Sequence, residues 1–113
     1  MQYLLIISHD DLFTPTESLI NGIGLWIREM ERRKIRVYGN PLRPPCDAVT
    51  VRVRENGVNV TNGPFADSNE KMCAYELIEC ASTEEAIEAA SRHPMARAAT
   101  IEIRPVWDAL IGK

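Results

Sequence analysis

The sequence predicts an α+β sandwich, and three observations carry that reading. Short β-rich runs and amphipathic stretches alternate too closely along the chain for strands and helices to sort into separate layers. The 113 residues, 45% hydrophobic and 26% charged, suit one domain, 1–113, with one core. Residues 2–8 and 72–80 carry apolar side chains at both parities, the pattern of strands buried on two faces. The order of elements is strand, helix, strand pair, strand, helix, strand, which is that of a ferredoxin-like sandwich with an antiparallel sheet. Two helices cover only one face of such a sheet, so a second subunit is the economical cover for the other, and a homodimer is expected.

Residues 2–8, QYLLIIS, read as a central strand that ends at His9-Asp10-Asp11. Thr14-Pro15-Thr16-Glu17 then offers a cap hydroxyl, a proline at the first helical position and a glutamate three residues after the cap. The helix it opens runs to about Lys34, with Leu19, Ile20, Ile23, Trp26, Ile27 and Met30 on one buried face and Glu29, Arg32 and Arg33 outward. Gly22 and Gly24 inside this helix cost roughly 1 kcal/mol each relative to alanine. Close backbone packing against the sheet or a second subunit would explain them. Residues 37–42 form a short strand closed by Pro41, Pro44 and Pro45. Residues 48–54 alternate apolar and polar, and Glu55-Asn56-Gly57 turns the chain into Val58-Asn59-Val60, a hairpin. A loop from Asn62 to about Lys71 leads to the strand 72–80. Ser82-Thr83-Glu84-Glu85 repeats the capping spacing and starts a second helix through Ala90 that Pro94 ends. Residues 99–104 give the last strand, stopped by Pro105.

Sixteen acidic against thirteen basic side chains leave a net charge of -3, with no general attraction for phosphate backbones or anionic lipid. Neither nucleic acid nor membrane is expected as a partner. The apolar run 3–7 is too short for a signal-peptide core, and no stretch approaches the ~20 apolar residues of a membrane span, so a cytoplasmic setting is expected. Cys46, Cys73 and Cys80 lack the paired spacing of a zinc or redox site and read as free, mostly buried thiols. No cofactor motif appears, and no metal site is expected. His9, Asp10 and Asp11 carry ligand-type atoms, but neighbours on an extended chain point to opposite faces.

His93 is the leading candidate for chemistry, since an imidazole titrates near neutrality and this one stands at a predicted helix C-terminus. A structural role is equally physical there, capping the last carbonyls, with the helix dipole favouring the cation. The constrained loop Asn62 to Glu70 offers Phe65 as an apolar floor and Asp67 or Glu70 as acceptors for a ligand or for His93. Its other reading is a rigid corner with Phe65 in the core. Arg52, Arg54 and Arg104 lie on strands, where they bind an anion or pair with acids.

The start Gln2-Tyr3-Leu4-Leu5-Ile6, the run Asn62-Gly63-Pro64-Phe65 with its acidic turn, the His93-Pro94 step and the closing Ile103-Arg104-Pro105 together resemble the YCII-related family, in particular its branch named for an Asp-Gly-Pro-Phe motif. The resemblance covers nearly the whole chain and implies a ferredoxin-like subunit pairing into a dimeric α+β barrel. Some members of the broader family look like small enzymes with a histidine on the first helix and an aspartate before the proline after the second. Here the first helix has no histidine, and His93 precedes Pro94. Asn62 stands for the usual Asp, Asn69 for the usual Lys, and Cys73-Ala74 where paired glycines are common.

Three functional readings follow. The first is a small-molecule-binding homodimer with its cleft near the Asn62-Gly63-Pro64-Phe65 loop, lined by Phe65, Glu70, Arg52 and Arg104. The second is a small enzyme, lyase-type or another proton-transfer activity, using His93 with Asp67 or Glu70. The third is a regulatory or adaptor protein, from charge polarity: residues 26–54 carry eight Lys and Arg against three acids, net +5, and residues 66–88 carry one Lys against seven acids, net -6.

Overall fold

The computed structural model describes residues 1–111. In chain order it has β1 (Gln2–His9), α1 (Glu17–Arg32), β2 (Arg36–Pro41), β3 (Val49–Arg54), β4 (Gly57–Asn62), β5 (Lys71–Glu79), α2 (Thr83–Ser91), α3 (Pro94–Ala98) and β6 (Thr100–Pro105). Strands β2, β5, β1 and β6 form one sheet in that order, every pair antiparallel. This is the ferredoxin-like arrangement with the β3–β4 hairpin inserted between its second and third strands. The hairpin forms a sheet of its own.

Parity explains which side holds the core. Tyr3, Leu5 and Ile7 of β1 stand opposite Ile78, Glu76 and Ala74 of β5, and all face the helices. Trp26 and Met30 of α1 and Ala86, Ala89 and Ala90 of α2 pack onto them. The small α2 side chains let that helix approach closely, and the Trp26 indole donates to the Ala89 carbonyl at 2.8 Å, joining the two helices. The opposite parity, Leu4, Ile6, Tyr75 and Leu77 with Tyr38 of β2 beside them, lies on the face that no helix among the described residues covers.

Three local expectations are corrected. Helix α1 is capped by Thr16, whose hydroxyl accepts from the Leu19 N–H at 3.1 Å, rather than by Thr14. Ile20, assigned to the buried face, is 60% exposed. Pro94 ends no helix: it opens α3, with His93 as the cap. Gly22 has a definite reason, since a Cβ there would meet Pro94 Cγ at 3.0 Å, so α1 rests on α3 through a glycine. Gly24 faces open space apart from the end of Arg28. Of the cysteines, Cys80 is buried, Cys73 half-buried and Cys46 exposed. Burial pushes the Cys80 thiol up to about 11.

Helix α1 stops through backbone geometry. Lys34 adopts φ +58°, and the Ile35 and Lys34 N–H groups return to the Met30 and Glu31 carbonyls at 2.8 and 3.0 Å, a Schellman ending with lysine in the place glycine favours.

Candidate functional site

Where α1 leaves its Thr16 cap it stands away from the sheet, and the gap is a cavity of about 440 Å³. Leu19, Ile20 and Ile23 overhang it, Ile7 and Ala74 form its floor, and the half-exposed Ile20 lies at its mouth. The apolar face of α1 is therefore only partly spent on the core: Trp26 and Met30 are buried in it, while its N-terminal turns line the space. That volume and lining suit a small organic ligand.

Polar groups enter at two points. The first is His93, 3% exposed. Its Nδ1 accepts from the Met95 N–H at 3.0 Å, as N-cap of α3, and its ring meets Trp26 edge-on at 4.7 Å. Because Nδ1 accepts, the ring proton lies on Nε2. No side-chain nitrogen or oxygen among the described residues is both sealed from solvent and unpartnered. Nε2 thus opens onto accessible space, and the cavity is the space His93 borders. Burial lowers the His93 pKa to about 4, so the ring is neutral at pH 7. The sequence placed His93 at a helix C-terminus, where the dipole favours the cation. Standing instead at the start of α3, it holds a neutral tautomer with its N–H on Nε2, away from the cap.

The second point is a pair the sequence reading missed. Glu76, on the helix face of β5, is 5% exposed. Both its oxygens accept from Arg36 Nε, at 2.9 and 3.0 Å. The remaining nitrogens of Arg36 donate to Glu31 at 3.0 Å and to the Gly39 carbonyl at 2.9 Å. Burial raises the Glu76 pKa against the pull of Arg36. Every nitrogen of the guanidinium is engaged, so Arg36 borders the cavity without a cation to spare for an anionic ligand. One signal of this pair was legible: a glutamate inside an apolar strand needs a partner.

The other predicted site residues lie elsewhere. Phe65 is 78% exposed, neither a pocket floor nor part of the core. Asp67, Glu70, Arg52 and Arg104 are exposed and absent from the cavity wall, so the structure does not bring Asp67 or Glu70 to His93 there. Glu70 accepts from the Thr100 hydroxyl, and Arg104 pairs with Glu102 at 3.4 Å. The Asn62-Gly63-Pro64-Phe65 turn does not border the cavity, although Gly63 has the positive φ, +98°, that its position suggested. His9 borders the cavity and stacks on Phe13 at 4.5 Å.

The basic and acidic blocks meet within the chain. Arg33 pairs with Glu88 at 2.9 Å and Arg36 with Glu76, so part of the polarity that pointed to a foreign partner is satisfied internally.

Fold and cavity together define a small α+β protein with a ligand-sized apolar pocket under its first helix. The YCII-related domain model matches residues 1–109, and the chain belongs to that family. An uncharacterised protein of Rhizobium meliloti (strain 1021) is 36% identical over 67 residues, covering 58% of this chain and 54% of the relative, so the match spans about half the relative's length. Among solved structures, 5-chloro-2-hydroxyhydroquinone dehydrochlorinase from Burkholderia phenoliruptrix AC1100, in complex with 2,5-dihydroxybenzoquinone, aligns over 100% of both chains with 17% identity and a TM-score of 0.48.

Proposed function

We propose that the protein binds a small, neutral, largely apolar molecule in the cavity under α1, with His93 Nε2–H donating to a carbonyl or comparable acceptor on the ligand. The observation that carries this reading is the fixed tautomer of His93 at the wall of an apolar space whose only arginine is fully engaged. We read the active form as a homodimer, because one face of the main sheet has no helix over it. The Asn62-Gly63-Pro64-Phe65 run supports a place in the Asp-Gly-Pro-Phe branch of the family.

Titration calorimetry with a panel of small neutral carbonyl and phenolic compounds tests the binding reading. Saturable binding is expected for the wild type. Ile23→Trp should abolish it by filling the cavity, and His93→Asn should weaken acceptor-bearing ligands about tenfold, the value of one lost hydrogen bond. Absence of binding across the panel, or binding unaffected by Ile23→Trp, would overturn the reading.

A proton-transfer enzyme is the second reading, and one observation favours it: the buried carboxylate of Glu76 borders the same cavity as His93. In such a reaction His93 polarises a substrate oxygen and Glu76 takes the acid–base role, in place of Asp67 or Glu70. His93 itself is a poor base, since its pKa is low and Nδ1 is committed to Met95.

A further inference from the structure

The β3–β4 hairpin is the one sheet among the described residues that pairs only with itself. Its register sets Val51 opposite Val60, Val53 opposite Val58 and Val49 opposite Asn62, so five valines share one face with a single amide at its base. Each of the five is between 59% and 67% exposed. The other face carries Thr50 opposite Thr61 and Arg52 opposite Asn59, with Arg54 at the tip. An isolated two-stranded ribbon is marginal in water unless something covers its apolar side, and nothing among the described residues does.

We propose that this arm is an intersubunit clasp whose valine face stacks on the same face of a second copy; the proposal deepens the homodimer reading and rests on it. Three arguments select a second copy as the occupant. The first is area: the chain exposes 8186 Å², against about 6,200 Å² for a compact monomer of this mass. The excess of roughly 2,000 Å² is more than the ~800 Å² that each partner gives to a stable interface. The second is self-complementarity. Two ribbons of the same hand of twist, each bearing five valines and the uncharged Asn62, can meet face to face about a two-fold axis at the ~10 Å spacing of stacked sheets. The third is charge segregation. Arg52 and Arg54 stand on the opposite face, so stacking through valine keeps the four arginines of two arms outward, in solvent. A charged partner, by contrast, would find no complementary group on the valine face.

Sedimentation equilibrium on the full chain tests the clasp. The wild type should weigh twice the chain mass of 12.7 kDa at micromolar concentration. Val51→Lys with Val60→Lys should weaken the dimer at least about a hundredfold, by placing four ammonium groups in the stack. Val51→Thr with Val60→Thr, which keeps strand propensity and shape, should weaken it about tenfold. Far-UV circular dichroism of both should match the wild type, because the substituted side chains are exposed in the single chain. A wild type that stays monomeric would overturn the homodimer reading and the clasp together. A wild-type dimer whose constant neither double variant changes, while Leu77→Lys on the open face of the main sheet breaks it, would overturn the clasp alone.

Discussion

A Cβ placed on Gly39 would lie 1.8 Å from the Glu76 carboxylate oxygen and 2.5 Å from the Tyr75 carbonyl. The two residues are cross-strand partners on the helix face of the sheet. The missing side chain at position 39 makes the room in which Glu76 reaches Arg36. Gly39→Ala should therefore cost about 3 kcal/mol or more, the cost of breaking a buried pair, with a matching loss in urea midpoint. Glu76→Leu alone should cost a similar amount. Combining it with Arg36→Met should recover most of the loss, because no charge is then left unpaired in the interior.

His93 gives a pH dependence with a defined sign. Its pKa is lowered from 6.5 to about 4 in the folded chain, so the unfolded chain binds more protons between those values. The contribution of His93 is fully present above pH 6.5 and declines as pH falls toward 4. From pH 7.5 to 5 the loss should be about 2 kcal/mol. Glu76 acts in the opposite sense, because a raised carboxyl pKa favours the folded state as pH falls. The comparison that isolates His93 is wild type against His93→Asn, which keeps an acceptor at the α3 cap. The difference between their urea-derived stabilities should change by about 2 kcal/mol over this range, and a flat difference would contradict the buried neutral ring.

The two glycines of α1 should respond oppositely to alanine. Gly24→Ala meets open space and should raise stability by about 1 kcal/mol through helix propensity. Gly22→Ala presses on Pro94 at 3.0 Å and should gain nothing or lose stability. Thermal melts of the two variants side by side give the contrast directly.

Lys34 holds a left-handed conformation at the end of α1. Lys34→Gly relieves the Cβ clash of that conformation and should stabilise the chain by about 0.5–1 kcal/mol. Equilibrium unfolding of the variant against the wild type measures it.

Much of the fold was legible because its signals are local. The period of two in 48–54, the Ser82 cap and the proline at 105 each act within a few residues, and the expected strands and two helices fall within a residue or two of their positions, α3 being the element not expected. The errors were also local, and competing signals explain them. Thr14 and Thr16 both offer a cap hydroxyl, and the chain uses the second. His93-Pro94 reads as a helix end until Pro94 is taken as a first helical residue, the position proline favours. The site was far less legible. Arg36 and Glu76 meet across 40 residues of sequence, and the glycine that admits them looks like an ordinary strand interruption. Valine alternation in the hairpin marks one face as apolar, but it carries no information about what lies against that face.

The order of the main sheet bears on how the chain leaves the ribosome. Strand β1 precedes every other element of the domain, yet its neighbours are β5 and β6, which follow only from residues 71 and 100. Until then Tyr3, Leu5 and Ile7 have no ladder to join, while α1 and the hairpin can form from contacts close in sequence. The main sheet can close only once β5 and β6 have been made, when β1, made well before them, takes its place between the two.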